Sequence, residues 1–478
     1  MAERTFAYGR FIGLDAITAP ENMNERLLSK VQGAHVDFRG QINKHYASKP
    51  FAGGSTSGVL SVEHYGEDDI VHTVRNGANL DLVSTTGVTE AAAFTGDYQA
   101  VDFTQFLDKL ICNVKDQDVK SWDGSAFATE AAVPKGGCNT TVRNRLCVAD
   151  IPSAGTEIHV SRTDLIDFTT GVATTDGVVI NIRNQLTSKD SIVGLGNYEG
   201  DKLAVFCKNE TLLYATDADI SKWQIVRDFR VPIGCIGKRT IKNVGTDLFF
   251  ASKFGIHSIR RAANGVTLET LTFSRVVQDI YDGLIAAMPD GREPHAVWNP
   301  SLGHYIIFFP KSDDRFASMT FTYEPALGRG THQSWAYDEA NIWCDASYFA
   351  GNLVFASISG GLREENTLDP TAFATNFSVK TPVLWQGAPH KRKQYKRMMI
   401  RMSGSAELQI KVYDERGNLR QTTTVQPYPP SGPTTPANIE FPPIDLPCYH
   451  RMKGIQLEFV SLDDLALKIT DFALLVEI

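Results

Sequence analysis

The chain has 478 residues, with 47 Lys and Arg against 55 Asp and Glu, for a formal net charge of −8. Hydrophobic residues at 42% and charged residues at 21% describe a globular chain long enough for several domains, and the acid excess argues against a surface that grips phosphate throughout. The seven cysteines, at 112, 138, 147, 207, 235, 344 and 448, form no C-x-x-C pair, which excludes a disulfide framework or zinc ribbon and leaves buried, reduced thiols. No apolar run reaches the roughly eighteen residues of a membrane-spanning helix. Met1-Ala2-Glu3-Arg4-Thr5 lacks the apolar stretch of a secretory signal, so synthesis in a cytoplasm is expected.

Along the chain, apolar residues come in runs of four to six or in alternation, separated by Gly, Asn, Asp and Pro, which is a strand-and-turn pattern. Short apolar runs centre on Leu60, Leu110, Leu146, Leu203, Leu248, Tyr305 and Leu353. Most are followed closely by a second strand such as Glu157–Val160, Thr211–Tyr214 or Gly255–Ile259. Their mean interval of about 49 residues approaches the roughly 40–50 of a propeller blade. An all-β fold is therefore predicted, with a β-propeller of six or seven blades over residues 51–375. A stack of unrelated hairpins in a large sandwich is the competing architecture. Residues 1–50 are expected to form an extended arm closing the propeller. One amphipathic helix is predicted after Ser274, a candidate N-cap, from the spacing of Val276, Val277, Ile280, Tyr281 and Leu284.

Composition shifts near Thr381. Leu408, Ile410 and Val412 alternate with Gln409 and Lys411, and Ile455, Leu457 and Phe459 alternate with Gln456 and Glu458. Each strand should turn one face to a core and the other to water. A Pro/Thr-rich loop at 426–433 separates the two blocks, and residues 376–478 read as a β-sandwich.

Signatures of chemistry are sparse. Gly234–Thr240 contains Gly-Lys without the spacing of a phosphate-cradling loop, and Gly53–Gly58 has Thr where a nucleophile elbow needs Ser; both read as turns. The eleven histidines form no metal-binding pair in sequence, and Cys448-Tyr449-His450 lacks nearby ligands. Carboxylates Asp102, Asp123 and Asp345 could serve a glycosidase, but a chain with 55 acids supplies such candidates by chance. No catalytic residue, cofactor or metal site is therefore assigned. The one outstanding cluster is His390–Arg397, where Lys391, Arg392, Lys393, Lys396 and Arg397 surround Tyr395. It reads either as a nucleic-acid or polyanion contact, or as a solvated strand entry or a subunit contact, an intersubunit rim of salt bridges facing an acidic neighbour. The second reading is preferred, because charge runs are usually solvated.

The order of segments resembles the β-propeller tail nozzle, or packaged-DNA stabilisation, proteins of short-tailed bacteriophages. Gly13–Asn22 and Val31–Ile42 are similar to that family's opening, and Asn144–Ala149 followed by Glu157–Ser161 resembles its central blade. Ile192–Leu195 with Leu203–Phe206 resembles the next blade, Pro232–Thr240 with Leu248–Ser258 a further one, and His332–Trp335 the loop that closes a later one. Lys44-His45-Tyr46 departs from the pattern, standing where many members carry a basic-Pro-Gly turn. The resemblance implies a virion structural protein without enzymatic activity. It would form a homo-oligomeric ring, by analogy a hexamer, below adaptor and portal, bearing tail fibre, spike or needle proteins and passing double-stranded DNA through its lumen. A glycan-binding or glycan-hydrolysing propeller is the alternative function.

Overall fold

The computed structural model describes residues 3–37, 39–45, 48–51, 58–66, 69–96, 101–171, 173–187, 189–261, 268–272, 274–311, 316–324, 329–331, 343–358, 361–365, 377–425, 439–440, 444–445, 451–463 and 465–477. Among these residues, seven four-stranded antiparallel sheets follow one another as the blades of a propeller. Their first strands are Val59–Tyr65, Asp102–Phe106, Cys138–Val142, Ile192–Tyr198, Lys242–Val244, His295–Asn299 and Trp343–Phe349. From the second blade to the seventh, successive first strands lie against one another, and the seventh packs on the first.

Six of the seven apolar runs used to count blades are second strands: Lys109–Asn113, Arg145–Ala149, Lys202–Cys207, Asp247–Ser252, His304–Pro310 and Asn352–Ser357. Neighbouring blades cover both faces of these strands, so nearly every residue in them is buried and the sequence loses its alternation. The Leu60 run is instead the first strand of its blade. All six described cysteines are buried free thiols; Cys448 lies outside the described residues.

The expected N-terminal arm does two jobs rather than one. Only Ser48–Pro50 closes the propeller, pairing with Gly361–Glu365 as the outermost strand of the seventh blade. Upstream, Glu3–Gly9 pairs with the last strand, Leu467–Glu477, in full register from Glu3 opposite Glu477 to Gly9 opposite Asp471. Ile42–Lys44 extends the same sheet, and Lys30–Gln32 joins the second sheet beside Phe377–Lys380. The sandwich is thus built from both ends of the chain.

The alternation in Leu408–Asp414 behaves as predicted, but Gln456 and Glu458 do not face water. Neighbouring strands and the arm's Ser29 and Lys30 supply their partners. Gln456 donates to the Thr381 carbonyl at 2.8 Å, and Glu458 accepts from Ser378 Oγ at 2.8 Å, Tyr413 OH at 2.6 Å and Lys30 Nζ at 3.1 Å. Burial pushes the Glu458 carboxyl up, but these donors outweigh it and hold the group at about 2.

The predicted helix exists at Gln278–Ala286, preceded by a single 3-10 turn. Ser274 does not cap it; its Oγ accepts the Ile256 amide at 3.0 Å instead. Val277 and Tyr281 are buried, and Tyr281 donates to the Ser252 carbonyl. They belong to one apolar cluster that also holds Phe249, Tyr305 and Phe309 of the propeller and Ile400, Phe459 and Phe472 of the sandwich. The two domains therefore share a core. At their junction the rings of His35 and His45, from the arm, stack edge-on with each other, and His35 stacks likewise with His304 of the sixth blade.

Lys44 fastens the arm to the C-terminal strands. Its fully buried ammonium reaches Asp463 Oδ1 at 3.0 Å, the Asp463 carbonyl at 2.5 Å and Ser461 Oγ at 3.0 Å. Lys44→Met removes that charge and leaves Asp463 short of its partner; we expect a loss of about 2–4 kcal/mol, read as a lowered urea midpoint at unchanged m-value.

Candidate functional site

The propeller axis is where seven blades converge, and a single buried turn fills it. Lys238–Thr240 is a 3-10 turn between the fourth and fifth blades, with all three residues buried. Two glycines seat it: a Cβ on Gly234 would lie 2.2 Å from the Lys208 carbonyl carbon, and one on Gly237 would lie 2.7 Å from the Pro294 oxygen. The tract that reads as a mere loop is therefore a fixed plug.

Arg239 is its centre. The guanidinium contacts Asp345 Oδ2 at 2.7 Å, the Val62 carbonyl at 3.1 Å, the Val101 carbonyl at 3.2 Å and Glu63 Oε2 at 3.5 Å, and it lies 5.0 Å from the Phe103 ring. These partners come from the seventh, first and second blades. Lys238 donates to the Gly137 carbonyl at the start of the third blade, and the Thr240 carbonyl accepts Tyr305 OH of the sixth at 2.7 Å. Three consecutive residues thus reach five blades beyond the two they connect.

Acids surround this turn. Asp345 also accepts the Val62 amide at 3.0 Å, which joins the seventh blade to the first. Cys344 Sγ to the Val59 carbonyl, and Ser347 Oγ to His64, continue that seam. Burial pushes Asp345 up to about 6 against the pull of Arg239. Asp102 and Glu293 are likewise raised by burial, opposed by Lys238. Glu63 goes the other way: its bond to His64 and the charges of Lys242 and Arg239 outweigh burial and hold it at about 2. His295, whose Nδ1 lies 3.7 Å from Asp345 Oδ1, is held well below its ordinary value by burial and the nearby cations, and is neutral.

Of the carboxylates proposed from sequence, Asp102 and Asp345 come together in the field of Arg239, whereas Asp123 is an exposed turn residue accepting the Ser125 and Ala126 amides. Arg239, Lys238 and Glu63 were not recognisable as site residues; the tight Gly-x-x-Gly spacing around Cys235 was the one available signal. Among the described residues, no group of three or more His, Cys, Asp or Glu is placed to hold a metal ion.

The basic tract divides by depth. Lys393 and Tyr395 point inward: Lys393 Nζ donates to the Ala388 and Lys453 carbonyls at 2.6 and 2.5 Å, and Tyr395 OH to Gln386 Oε1 at 2.7 Å. Lys396 pairs with Glu3 at 2.5 Å and Glu477 at 3.0 Å. Lys391, Arg392 and Arg397 are exposed. The tract's strand pairs with Leu467–Glu477, and much of its charge is engaged within the sandwich.

The chain is thus a seven-bladed β-propeller protein, counted over the described residues, with a two-sheet sandwich closed by its own N-terminus. No family model and no curated protein matches it. Solved structures that resemble it include a chain of the mitotic checkpoint complex, at 14% identity and TM-score 0.41, covering 74% of this chain and 98% of that one. BamB from Moraxella catarrhalis aligns at 10% identity and TM-score 0.39, over 76% and 97% of the two chains. Virginiamycin B lyase from Staphylococcus aureus aligns at 11% and 0.40, over 65% and 95%. The likeness is one of propeller architecture alone.

Two outcomes follow from this geometry. Arg239→Met should cost about 3–5 kcal/mol by stranding Asp345, and adding Asp345→Leu should recover part of that loss in the same denaturation assay. Acid should also weaken the fold. Burial holds His35, His72 and His257 at about 4, and His295 and His304 are held well below their ordinary value, chiefly by burial. The unfolded chain then binds more protons than the native one between pH 6.5 and 4, so stability falls as pH drops through that window, by at most about 1.4 kcal/mol per pH unit for each histidine. Asp345 and Glu365, raised by burial to about 6 and 7, act with the opposite sign, as do Asp102 and Glu293, raised by burial, and His64, raised by its bond to Glu63; Glu63 and Glu458, held at about 2, add to the acid loss at the low end of the window. Urea titrations at pH 7, 6 and 5 measure the slope.

Proposed function

We propose that this protein is a non-enzymatic structural subunit of a virion, the tail nozzle of a short-tailed bacteriophage, assembling into a ring, with six copies by analogy, around the DNA exit path. The observation that carries this reading is the engagement of Arg239. The charged groups that would line a catalytic funnel on a propeller axis hold blades to one another instead, through main-chain carbonyls and a buried carboxylate. The resemblance of motifs along nearly the whole chain supports this class of protein, and the shared core of propeller and sandwich suits a part that transmits load.

In this reading the conduit lies between subunits. The net charge of −8 favours passage of a polyanion, since a wall poor in fixed cations releases few counterions and holds phosphate weakly. Adaptor and portal would sit above the ring, and fibre, spike or needle proteins would attach to it. Glycan recognition or hydrolysis remains the competing function, with Asp345 and Asp102 as its acids, but Asp345 is fully buried against Arg239.

Negative-stain imaging of the purified protein, alone and mixed with an adaptor from the same genome, tests the proposal. Rings with a central channel are expected. Monomers that cleave or retain host polysaccharide, with activity abolished by Asp345→Asn at intact folding, would overturn it.

A further inference from the structure

The first strand of the chain is lightly held by the sandwich it completes. Within Glu3–Gly9 only Tyr8 is buried; Glu3, Arg4, Thr5 and Ala7 are exposed, and Phe6 is half-buried. The strand is fastened by its ladder to Asp471–Glu477 and by Tyr8 on Phe472, with ring centroids 5.1 Å apart. At its far end Glu3 and Glu477 stand directly opposite each other, and Lys396 bridges the two acids. All of these partners belong to the C-terminal part of the chain.

The strand leaves the body of the protein through a strained residue. Arg10 is left-handed, φ 54°, a conformation costly for any residue but glycine. A trough of about 540 Å³ borders this point, lined by Ala7, Gly9, Arg10 and Asp471 among others, so the backbone has room to straighten. One residue further on the chain is fixed. Phe11 is buried and its amide donates to the Gly40 carbonyl at 3.0 Å, and the Ile12 amide donates to the Arg26 carbonyl at 2.9 Å. A terminal, mostly exposed strand beyond a strained hinge favours exchange between copies. Opening relieves the strain, and each contact of the strand is remade on another molecule. We propose that, in the ring inferred above and on the strength of that reading, each copy lays Glu3–Gly9 along Asp471–Glu477 of the next copy.

The acceptor edge needs a strand. Opposite Glu3–Gly9, the side chains of Phe472, Leu474 and Val476 are buried, and Ile42–Lys44 reaches only Lys468 and Ile469 of the same edge. The other edge of Leu467–Glu477 is taken by Lys393–Gly404. A bare edge of this kind is a template for any passing strand, and the matching one is carried by every copy. Seven extended residues span about 23 Å, so the last strand of the next copy has to lie beside this hinge. That sets sandwich against sandwich around the ring, in the head-to-tail contact that a closed ring of identical subunits requires.

The test is co-expression of two full-length chains with different tags, one carrying Ala7→Cys and the other Ala473→Cys. These positions are directly opposite in the ladder, at a separation that a disulfide spans, and Ala7 is exposed and Ala473 half-buried. After mild oxidation a disulfide joining the two kinds of chain is expected, and neither chain expressed alone should form an interchain link. Arg10→Gly in both chains should lower the yield of the mixed product about fivefold, because glycine accepts the closed hinge without strain. Absence of the mixed product, or a yield indifferent to Arg10→Gly, overturns the exchange. Rings lacking the mixed disulfide overturn it while leaving the ring reading in place. The mixed disulfide in closed dimers without rings upholds the exchange and counts against the ring instead.

Discussion

A propeller's blades are joined in sequence only to their neighbours, and the buried charge of the turn at their centre must find partners in several of them at once. The ion pair of Arg239 and Asp345 answers that constraint. A guanidinium can be buried only if nearly all its donors find acceptors, and here the acceptors are carbonyls and carboxylates of the first, second and seventh blades. The same condition that makes the charge tolerable requires those blades to be correctly placed. Buried ion pairs add little net stability over apolar packing, so the effect of this one is chiefly on specificity: a slipped blade strands a charge.

The second constraint is the N-terminal segment, which belongs to both domains. Ser48–Pro50 completes the seventh blade more than 300 residues away along the chain, and Glu3–Gly9 pairs with the last strand of all. Both closures form only when the chain's ends come together, a long loop to close. Once formed, they give the seventh blade its fourth strand, and the histidine stack and the shared apolar cluster tie the sandwich to the propeller. A body of this kind resists hinge motion between its domains, consistent with a structural part that keeps its shape under load.

The sequence by itself determined the class of fold and much of its organisation. Hairpins recurring at blade-like intervals announce a propeller because the interior strand of each blade is buried on both faces and must be continuously apolar; the first blade was counted on its first strand, the Leu60 run, because its second strand, Asp69–Asn76, mixes His72, Thr73 and Arg75 into the run. The helix was visible in its spacing, and the sandwich in the alternation of Leu408–Asp414. What only the tertiary structure decided is where charges go. Arg239 has no local pattern that distinguishes it from any surface arginine, since its partners lie in three other blades. Glu458 and Gln456 look solvent-facing until Ser378, Thr381, Tyr413 and the arm's Lys30 close on them, and the cations of the 391–397 tract divide into buried, paired and exposed only when the tertiary fold forms. Apolar periodicity is a short-range property written within each strand, whereas the environment of a polar group depends on residues hundreds of positions distant, which no local reading contains.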